Sequence, residues 1–506
     1  MLARLPIVLL LFSGAMATAQ DTADPAVALA RILAQRGTIS GTELSTIESA
    51  SDGQRVGPLA GILQRKGLLS DAEVAQLRMP PGVLPQQSTP QQALVQQPSQ
   101  TSQGASLPQA SAPQVSAQGP RPEPVTTQAG LAITLYGTLL FNAFYNTAPA
   151  NIQDIPLFLG KQGSDPTGGD KNFGATARQT RLGLRLAKND VLGARLSGDF
   201  EFDLFGGKTP LPNGMDMDMF RLRLAYGRLD WGRIAFEAGQ DWTIFAPLNP
   251  TSLASYAIPE FSASGNPWIR LPQVRAEVTK AIGEHSHLLW QVAALDPNMG
   301  DYPTTPFSTS RQPGIGERGR MPSYEARLAW TDRVDDRDFT VGVSGHYGRG
   351  KNFGTIGALN IQQPVDSWGV ALDYSLPFTR KLNVTGEAFE GRALGIFSVT
   401  AGESVGAVGT TGGHGVQSRG GWIQGQYNLN PRWQVNLAYG LEVPNAAQLV
   451  TGSRWRNQSY MGNITFKPVS SVTFAWEYRR LLTDYVNQRQ ANERGDHVDM
   501  AIGYVF

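Results

Sequence analysis

Val498-Asp499-Met500-Ala501-Ile502-Gly503-Tyr504-Val505-Phe506 decides the fold. Val498, Met500, Ile502, Tyr504 and Phe506 are apolar and fall on one face of an extended chain. Asp499, Ala501, Gly503 and Val505, small or charged apart from the valine, fall on the other. Strand side chains alternate with period two, so the stretch has a greasy face and a wet one. A strand of this kind suits a closed sheet whose outer face meets lipid, because a membrane tolerates no unpaired sheet edge.

Composition bounds what else the chain can be. Its 506 residues allow a large β-barrel as a single unit. The formal net charge of +1 argues against nucleic-acid binding by bulk charge. Without cysteine there are no disulfides, thiolate metal sites or cysteine nucleophile. A mean hydropathy of -0.23 rules out a helical membrane bundle. It is compatible with a barrel, where lipid-facing and lumen-facing residues average out along each strand.

Read in order, residues 1–19 carry Arg4, an apolar run from Ile7 to Phe12, and Ala17-Thr18-Ala19 before Gln20. They form a secretory signal peptide with cleavage expected after Ala19. Residues 20–79 hold a repeat at a spacing of thirty, in which Leu29 to Ser40 aligns with Leu59 to Ser70. In each copy a short helix stops at glycine (Gly37, Gly67), and a serine (Ser40, Ser70) with Glu43 or Glu73 three residues on forms a capping box. Two helical hairpins follow, each too small to bury a core alone. Residues 80–130 are rich in Pro, Gln, Ser and Ala, with no charge from Pro80 to Pro120. They read as a disordered linker between periplasmic hairpins and a barrel.

From Leu131 to Phe506 the period-two pattern persists. Leu135, Gly137, Leu139 and Phe141 alternate with Tyr136, Thr138 and Asn142; Phe220, Leu222, Leu224 and Tyr226 oppose Arg221, Arg223 and Ala225. Sixteen such strands are counted, and antiparallel closure of a single chain calls for an even number. Connections alternate short, such as Asp230-Trp231-Gly232, and long, near 146–177, 206–216, 241–270, 296–320, 349–365, 392–418, 442–455 and 483–495. The expected fold is all-β: a 16-stranded antiparallel transmembrane β-barrel after a small periplasmic α-helical hairpin repeat and a disordered linker.

Two features could carry function. The third long loop is apolar for an exposed segment and is expected to fold into the lumen as a constriction, with Asp241, Trp242, Phe245, Tyr256, Glu260, Trp268 and Arg270 as its candidate residues. The second is arginine on the wet face of neighbouring strands: Arg181, Arg185, Arg195, Arg221, Arg223 and Arg275. Most are expected near mid-height, with Glu201 and Asp203 closer to the outer mouth. A basic ring in a narrow pore favours anions, and the guanidinium fork matches carboxylate or phosphate oxygens. Alternatively these arginines only pair with Asp199, Glu237, Glu277 and Glu325 to hold the wall together.

Ala177-Arg178-Gln179-Thr180-Arg181-Leu182-Gly183, Gly198-Asp199-Phe200-Glu201, Arg221-Leu222-Arg223-Leu224-Ala225-Tyr226, Gly239-Gln240-Asp241-Trp242-Thr243 and Arg270-Leu271-Pro272-Gln273-Val274-Arg275 occur in that order. Together they resemble the DcaP-like outer-membrane porins and, more distantly, the phosphate-selective porins. The resemblance implies a trimeric channel for dicarboxylates and other organic anions. It also implies an electropositive constriction at Arg181, Arg185, Arg221, Arg223 and Arg275. The chain departs from that family at its N-terminus, where hairpins and a Gln/Pro linker replace a simple coiled-coil start. The terminal strand is likewise similar to the signal, here Tyr504 and Phe506, by which the barrel-assembly machinery recognises its clients.

Catalysis is not expected. His285, His287, His346, His414 and His497 sit in no nucleophile or acid–base motif, and no catalytic residue, metal ligand or cofactor is assigned. The sequence therefore reads as a passive porin of the outer membrane with a periplasmic N-terminal segment. Its expected partners are small anionic solutes, outer-membrane lipid and lipopolysaccharide, two further copies in a homotrimer, and no nucleic acid. The alternatives are a general or phosphate-preferring porin, or a tether that grips the cell wall through its hairpins.

Overall fold

The computed structural model describes residues 25–35, 37–51, 56–66, 124–161, 163, 170–210, 216–300, 312–356, 359–402, 404–409, 412–486 and 492–506. The signal peptide, nearly all of the linker, and Gly67, Ser70 and Glu73 of the second repeat lie outside the described residues. The chain forms two compact units, residues 1–105 and 106–506.

The first unit contains α1 (Pro25–Gln35), α2 (Gly41–Glu48) and α3 (Val56–Arg65). Gly37 turns the chain after α1 with φ +69°, a left-handed conformation that a side chain would strain. Ser40 caps α2: its hydroxyl accepts from the Glu43 amide, and its own amide donates to Glu43 Oε2 at 2.6 Å. Ala30, Ile39, Ile47, Leu59, Ile62 and Leu63 share one buried core. No single hairpin could have built it.

The second unit is a closed wall. Its strands are β1 (Ala132–Asn146), β2 (Arg181–Val191), β3 (Ala194–Asp203), β4 (Arg221–Asp230), β5 (Ile234–Trp242), β6 (Arg270–Ala281), β7 (His287–Leu295) and β8 (Ser323–Val334). They continue as β9 (Arg337–Ile356), β10 (Leu359–Pro377), β11 (Leu382–Arg392), β12 (Gln417–Asn430), β13 (Trp433–Pro444), β14 (Arg454–Val469), β15 (Val472–Tyr485) and β16 (Asn492–Val505). Each pairs antiparallel with its neighbours, and β1 pairs with β16 from Thr138↔Val505 to Asn146↔His497. That pairing closes a 16-stranded barrel. Above β2, Asn172–Thr176 continues the wall beside β1. Below Phe506, Val125–Thr126 adds a short strand to the start of β1.

Closure segregates the two faces. Leu135, Leu139, Phe141, Val274, Trp290, Val292, Leu372, Trp476, Ile502 and Tyr504 point outward and are exposed. At about 25 cal/mol per Å² of apolar surface, such a band is untenable in water and suited to hydrocarbon. Inside, Asn142, Gln424, Asn436, Asn463, Glu477 and Asp499 are buried. Hydrogen bonds around the ring satisfy every strand laterally, so the wall has no edge to protect.

The structure corrects two local expectations. Residues 349–365, read as a long loop, instead extend β9 and β10 as a paired hairpin running to Ile356↔Leu359. Pairing that begins at the rim propagates residue by residue, and nothing before Gly357 breaks it. The second correction is in β4. Its partners on β3 jump from Phe202↔Leu222 to Glu201↔Leu224, a bulge that places Arg223 and Leu224 together opposite Glu201. The extra residue reverses the alternation beyond it. Tyr226 therefore faces the lumen and donates to Asp199 Oδ2 at 2.7 Å, rather than joining Leu222 outside.

Candidate functional site

The lumen is shaped by the loop between β5 and β6, residues 243–269, which turns inward and runs along the inner wall. Its first leg presents amide N–H groups to side-chain acceptors. Ile244 and Phe245 donate to Glu325 Oε2 at 3.0 and 3.1 Å, and Ala246 donates to Ser344 Oγ at 3.1 Å. Leu248 donates to Glu387 Oε1 at 2.5 Å and Thr251 to Gln424 Oε1 at 2.9 Å. The loop thus passes β8, β9, β11 and β12 in turn.

The second leg presents carbonyl oxygens to side-chain donors. Asn142 donates to Leu253 O at 3.2 Å and Gln179 to Ala254 O at 3.0 Å. Arg181 donates to Tyr256 O at 2.8 Å, and Arg221 and Arg223 to Ala257 O at 2.8 and 3.2 Å. Gln179 also accepts from the Tyr256 and Ala257 amides, so one carboxamide satisfies both polarities of the backbone. On the return, Phe261 packs against Trp422 and Met461, and Asn457 of β14 donates to Ala263 O at 2.8 Å. Gly265 has φ +105° where a Cβ would strike Gly421 O and Leu441 O, so the close approach of loop to wall at this point requires glycine.

The arginine stripe takes an arrangement that strand alternation alone does not reveal. Arg181 and Arg221 stand opposite Asp203 in the pairing, so the acids share the arginines' level rather than lying above them. Arg223, 1% exposed, bonds Glu201 at 2.7 Å and Asp203 at 2.8 Å; Arg221 bonds Asp203 at 2.6 Å. Arg181 is 3.5 Å from Glu201. Arg275 bonds Glu237 at 2.6 Å, Asp241 at 3.0 Å and Glu277 at 3.0 Å. These four hold the wall and the loop. Arg185 pairs with Asp199 at 3.1 Å but keeps 61% of its side chain exposed, and Arg195 below it is also exposed.

The loop residues named from sequence fall into two groups. Phe245 is fully buried against Phe397, with ring centroids 5.1 Å apart. Tyr256 lies under the Arg181 guanidinium at 3.9 Å and hydrogen-bonds Thr138 at 3.0 Å. Glu260 pairs with Arg479 at 2.7 Å. Trp242 and Trp268 lie 5.8 Å apart, and Arg270 stacks on both, at 4.6 and 5.2 Å. Arg270 Nη1 is buried without a hydrogen-bond partner, and among the described residues no carboxylate lies within ion-pair distance of this guanidinium.

Sequence reasoning missed two further inward loops. Residues 393–416 send Leu394, Phe397 and Val399 into a core with Phe245 and Ala246. Ile155 of the first loop packs with Ala257, Ile258 and Trp268, with Ile152, Leu157, Phe205 and Trp242 around them. The signal was available, since both are apolar segments in nominally exposed loops. The wall residues that grip the third loop, Glu325, Glu387, Gln179 and Gln424, carried no such signal. Alternation places them on the wet face without naming what they bind.

No family model and no curated protein matches the sequence. Among solved structures, the outer-membrane channel DcaP of Acinetobacter baumannii is similar at a TM-score of 0.56 and 21% identity, over 76% of this chain and 100% of that one. The fold is that of an outer-membrane channel. Salmonella typhi OmpF, solved with daunomycin, matches at TM-score 0.48 and 14% identity over 75% of this chain and 99% of its own. An anion-selective porin from Comamonas acidovorans matches at 0.45 and 14%, over 74% and 100%.

Proposed function

We propose that the protein is an outer-membrane porin through which small hydrophilic solutes diffuse passively, with a bias toward organic anions such as dicarboxylates. A closed barrel with a greasy exterior and a polar, loop-narrowed interior supports the porin reading. The anion bias rests on one observation, Arg270, whose guanidinium has no ion-pair partner among the described residues and whose Nη1 lacks an acceptor. Its guanidinium is held by two indole faces, and the positive charges of Arg223, Arg221 and Arg181 act on it against the carboxylates of Asp203 and Glu201. A buried donor without an acceptor is costly, so an anionic oxygen passing this point gains what the protein does not supply.

In this reading residues 1–19 direct export, residues 20–79 remain periplasmic, residues 80–130 link them to the barrel, and three copies assemble in the membrane. Tyr504 and Phe506 present the closing strand to the assembly machinery. The deciding experiment is single-channel recording of the full-length protein in planar bilayers, with reversal potentials in a salt gradient. Wild type should conduct and prefer anions, and R270Q should conduct with that preference reduced. An open channel with equal preference in both proteins would remove the anion bias; a barrel that inserts but carries no current would remove the porin.

A further inference from the structure

Across the closing seam from the arginine stripe, β15 and β16 hold an ionisable cluster that solute passage does not call on. Arg479 of β15, 1% exposed, bonds Glu477 Oε1 at 2.8 Å on its own strand and Glu260 Oε2 at 2.7 Å on the third loop. Ser255 donates to Glu260 at 2.8 Å; Ser252 and Asn463 donate to Glu477 at 2.6 and 3.0 Å. On β16, Asp499 accepts from Asn142 at 3.1 Å through one oxygen, and its other oxygen is buried without a partner.

His497 lies on the same inner face of β16. Asn146 gives its amide hydrogens to Gln153 O and Asn172 Oδ1, so its own oxygen can only accept. His497 Nδ1, 2.8 Å from that oxygen, therefore carries the hydrogen, and Nε2 is a bare acceptor, also buried without a partner. Asp154 and Arg178 of the neighbouring loop segment satisfy one another in a two-pronged pair, so that arginine is committed elsewhere. Among the described residues three carboxyl groups, Glu260, Glu477 and Asp499, thus depend on one buried guanidinium, beside a histidine whose buried Nε2 lone pair also lacks a donor.

With all three carboxyls ionised the cluster would hold an uncompensated double negative charge away from water, which an interior does not sustain. Glu477 and Asp499 are fixed in strands. Glu260 is on a loop and can leave. We propose that Glu260 is a proton-operated latch: protonated, it keeps the 252–260 segment docked on β15 and β16, and ionised at higher pH it is expelled toward water, loosening the constriction.

The sign follows from linkage. Burial, acting against the attraction of Arg479 and reinforced by Glu477, pushes the Glu260 carboxyl up to about 7 from its ordinary 4.5. A carboxyl raised in the docked state contributes docking stability at pH below its free value and loses it as pH rises through about 7. Over the full titration a shift of this size corresponds to a change in the docking equilibrium of roughly three-hundredfold.

The absence of cysteine permits a direct test. A257C, at a buried position whose side chain bonds nothing, is compared with A257C/E260Q in full-length protein in lipid vesicles, by the rate of modification with a water-soluble maleimide. The ratio of the two rates cancels the thiol's own pH dependence. Glutamine mimics the protonated acid, so between mildly acidic and mildly alkaline solution the ratio should rise by roughly a hundredfold. A ratio that stays flat overturns the latch. Should E260Q fail to assemble, E477Q removes one of the competing carboxyls and should hold the loop docked to higher pH; an unshifted profile there overturns it equally. Labelling reads the loop directly, so the result is independent of whether the barrel conducts.

Discussion

The two legs of the third loop are held by opposite chemistry. Along β8 to β12 the wall offers mainly acceptors, Glu325, Ser344, Glu387 and Gln424, and the loop turns its amides toward them, with Gln424 also donating back to Thr251 O. Along β1, β2 and β4 the wall offers donors, Asn142, Arg181, Arg221 and Arg223, and the loop turns its carbonyls. A loop brought into an interior must find partners for every peptide group it buries. The barrel meets that demand by polarising its inner surface. The arginines that a linear reading assigns to solute therefore serve the loop first.

Removing what is gripped is the harshest way to break this comparison. Trimming the loop between Ala246 and Phe261 should raise single-channel conductance about twofold or more, because the passage widens while the wall stays. Unchanged conductance would mean that the loops at 147–171 and 393–416 set the passage instead.

The donor side should be the more sensitive to a single change. R223Q strips a fully buried partner from Glu201 and Asp203 and weakens the hold on Ala257, at about 3 kcal/mol. The check is denaturant unfolding of the barrel in vesicles; a shift no larger than that of an exposed-arginine mutant would show that Arg181 and Arg221 compensate.

On the acceptor side, E325A leaves two buried loop amides unsatisfied and should cost about 2 kcal/mol, with E325Q much milder because one oxygen remains. Unfolding midpoints for the pair decide this, and equal losses would assign the effect to charge rather than to acceptance. The smallest change is expected at Arg185, whose side chain is mostly in water. R185Q should leave stability within about 0.5 kcal/mol while moving the reversal potential toward cations. A stability loss comparable to R223Q would move Arg185 from the passage to the scaffold.

Much of this was legible from residues. Val498 to Phe506 showed that a strand could be greasy on one side and wet on the other, and its repetition gave sixteen strands and the outward band. The apolar run Ile244-Phe245 and the lone Trp268 marked a loop that would not stay in water. The bulge at Arg223 was not legible, because one inserted residue looks like ordinary alternation until the partner strand is seen. Pairing of the arginines with Glu237 and Glu277 was one of two readings the sequence left open, but that Arg275 gathers both, and Asp241 with them, was not legible.

The sequence by itself determined the wall, because period-two alternation is a local property that survives without knowing any neighbour. It also determined which side chains face inward, except beyond the bulge in β4, where Tyr226 turns into the lumen. What those side chains do was decided only by tertiary structure. Gln179 meets Tyr256 and Ala257 from 77 and 78 residues away, Asn142 meets Asp499 across the closing seam, and Arg479 meets Glu260 over more than two hundred positions. An inward arginine can bind a solute, a carboxylate or a peptide carbonyl with the same fork, and the linear chain does not distinguish them. Closing the ring brings the partners within reach, and burial then makes the choice, since each unsatisfied group left inside would cost more than the order needed to pair it.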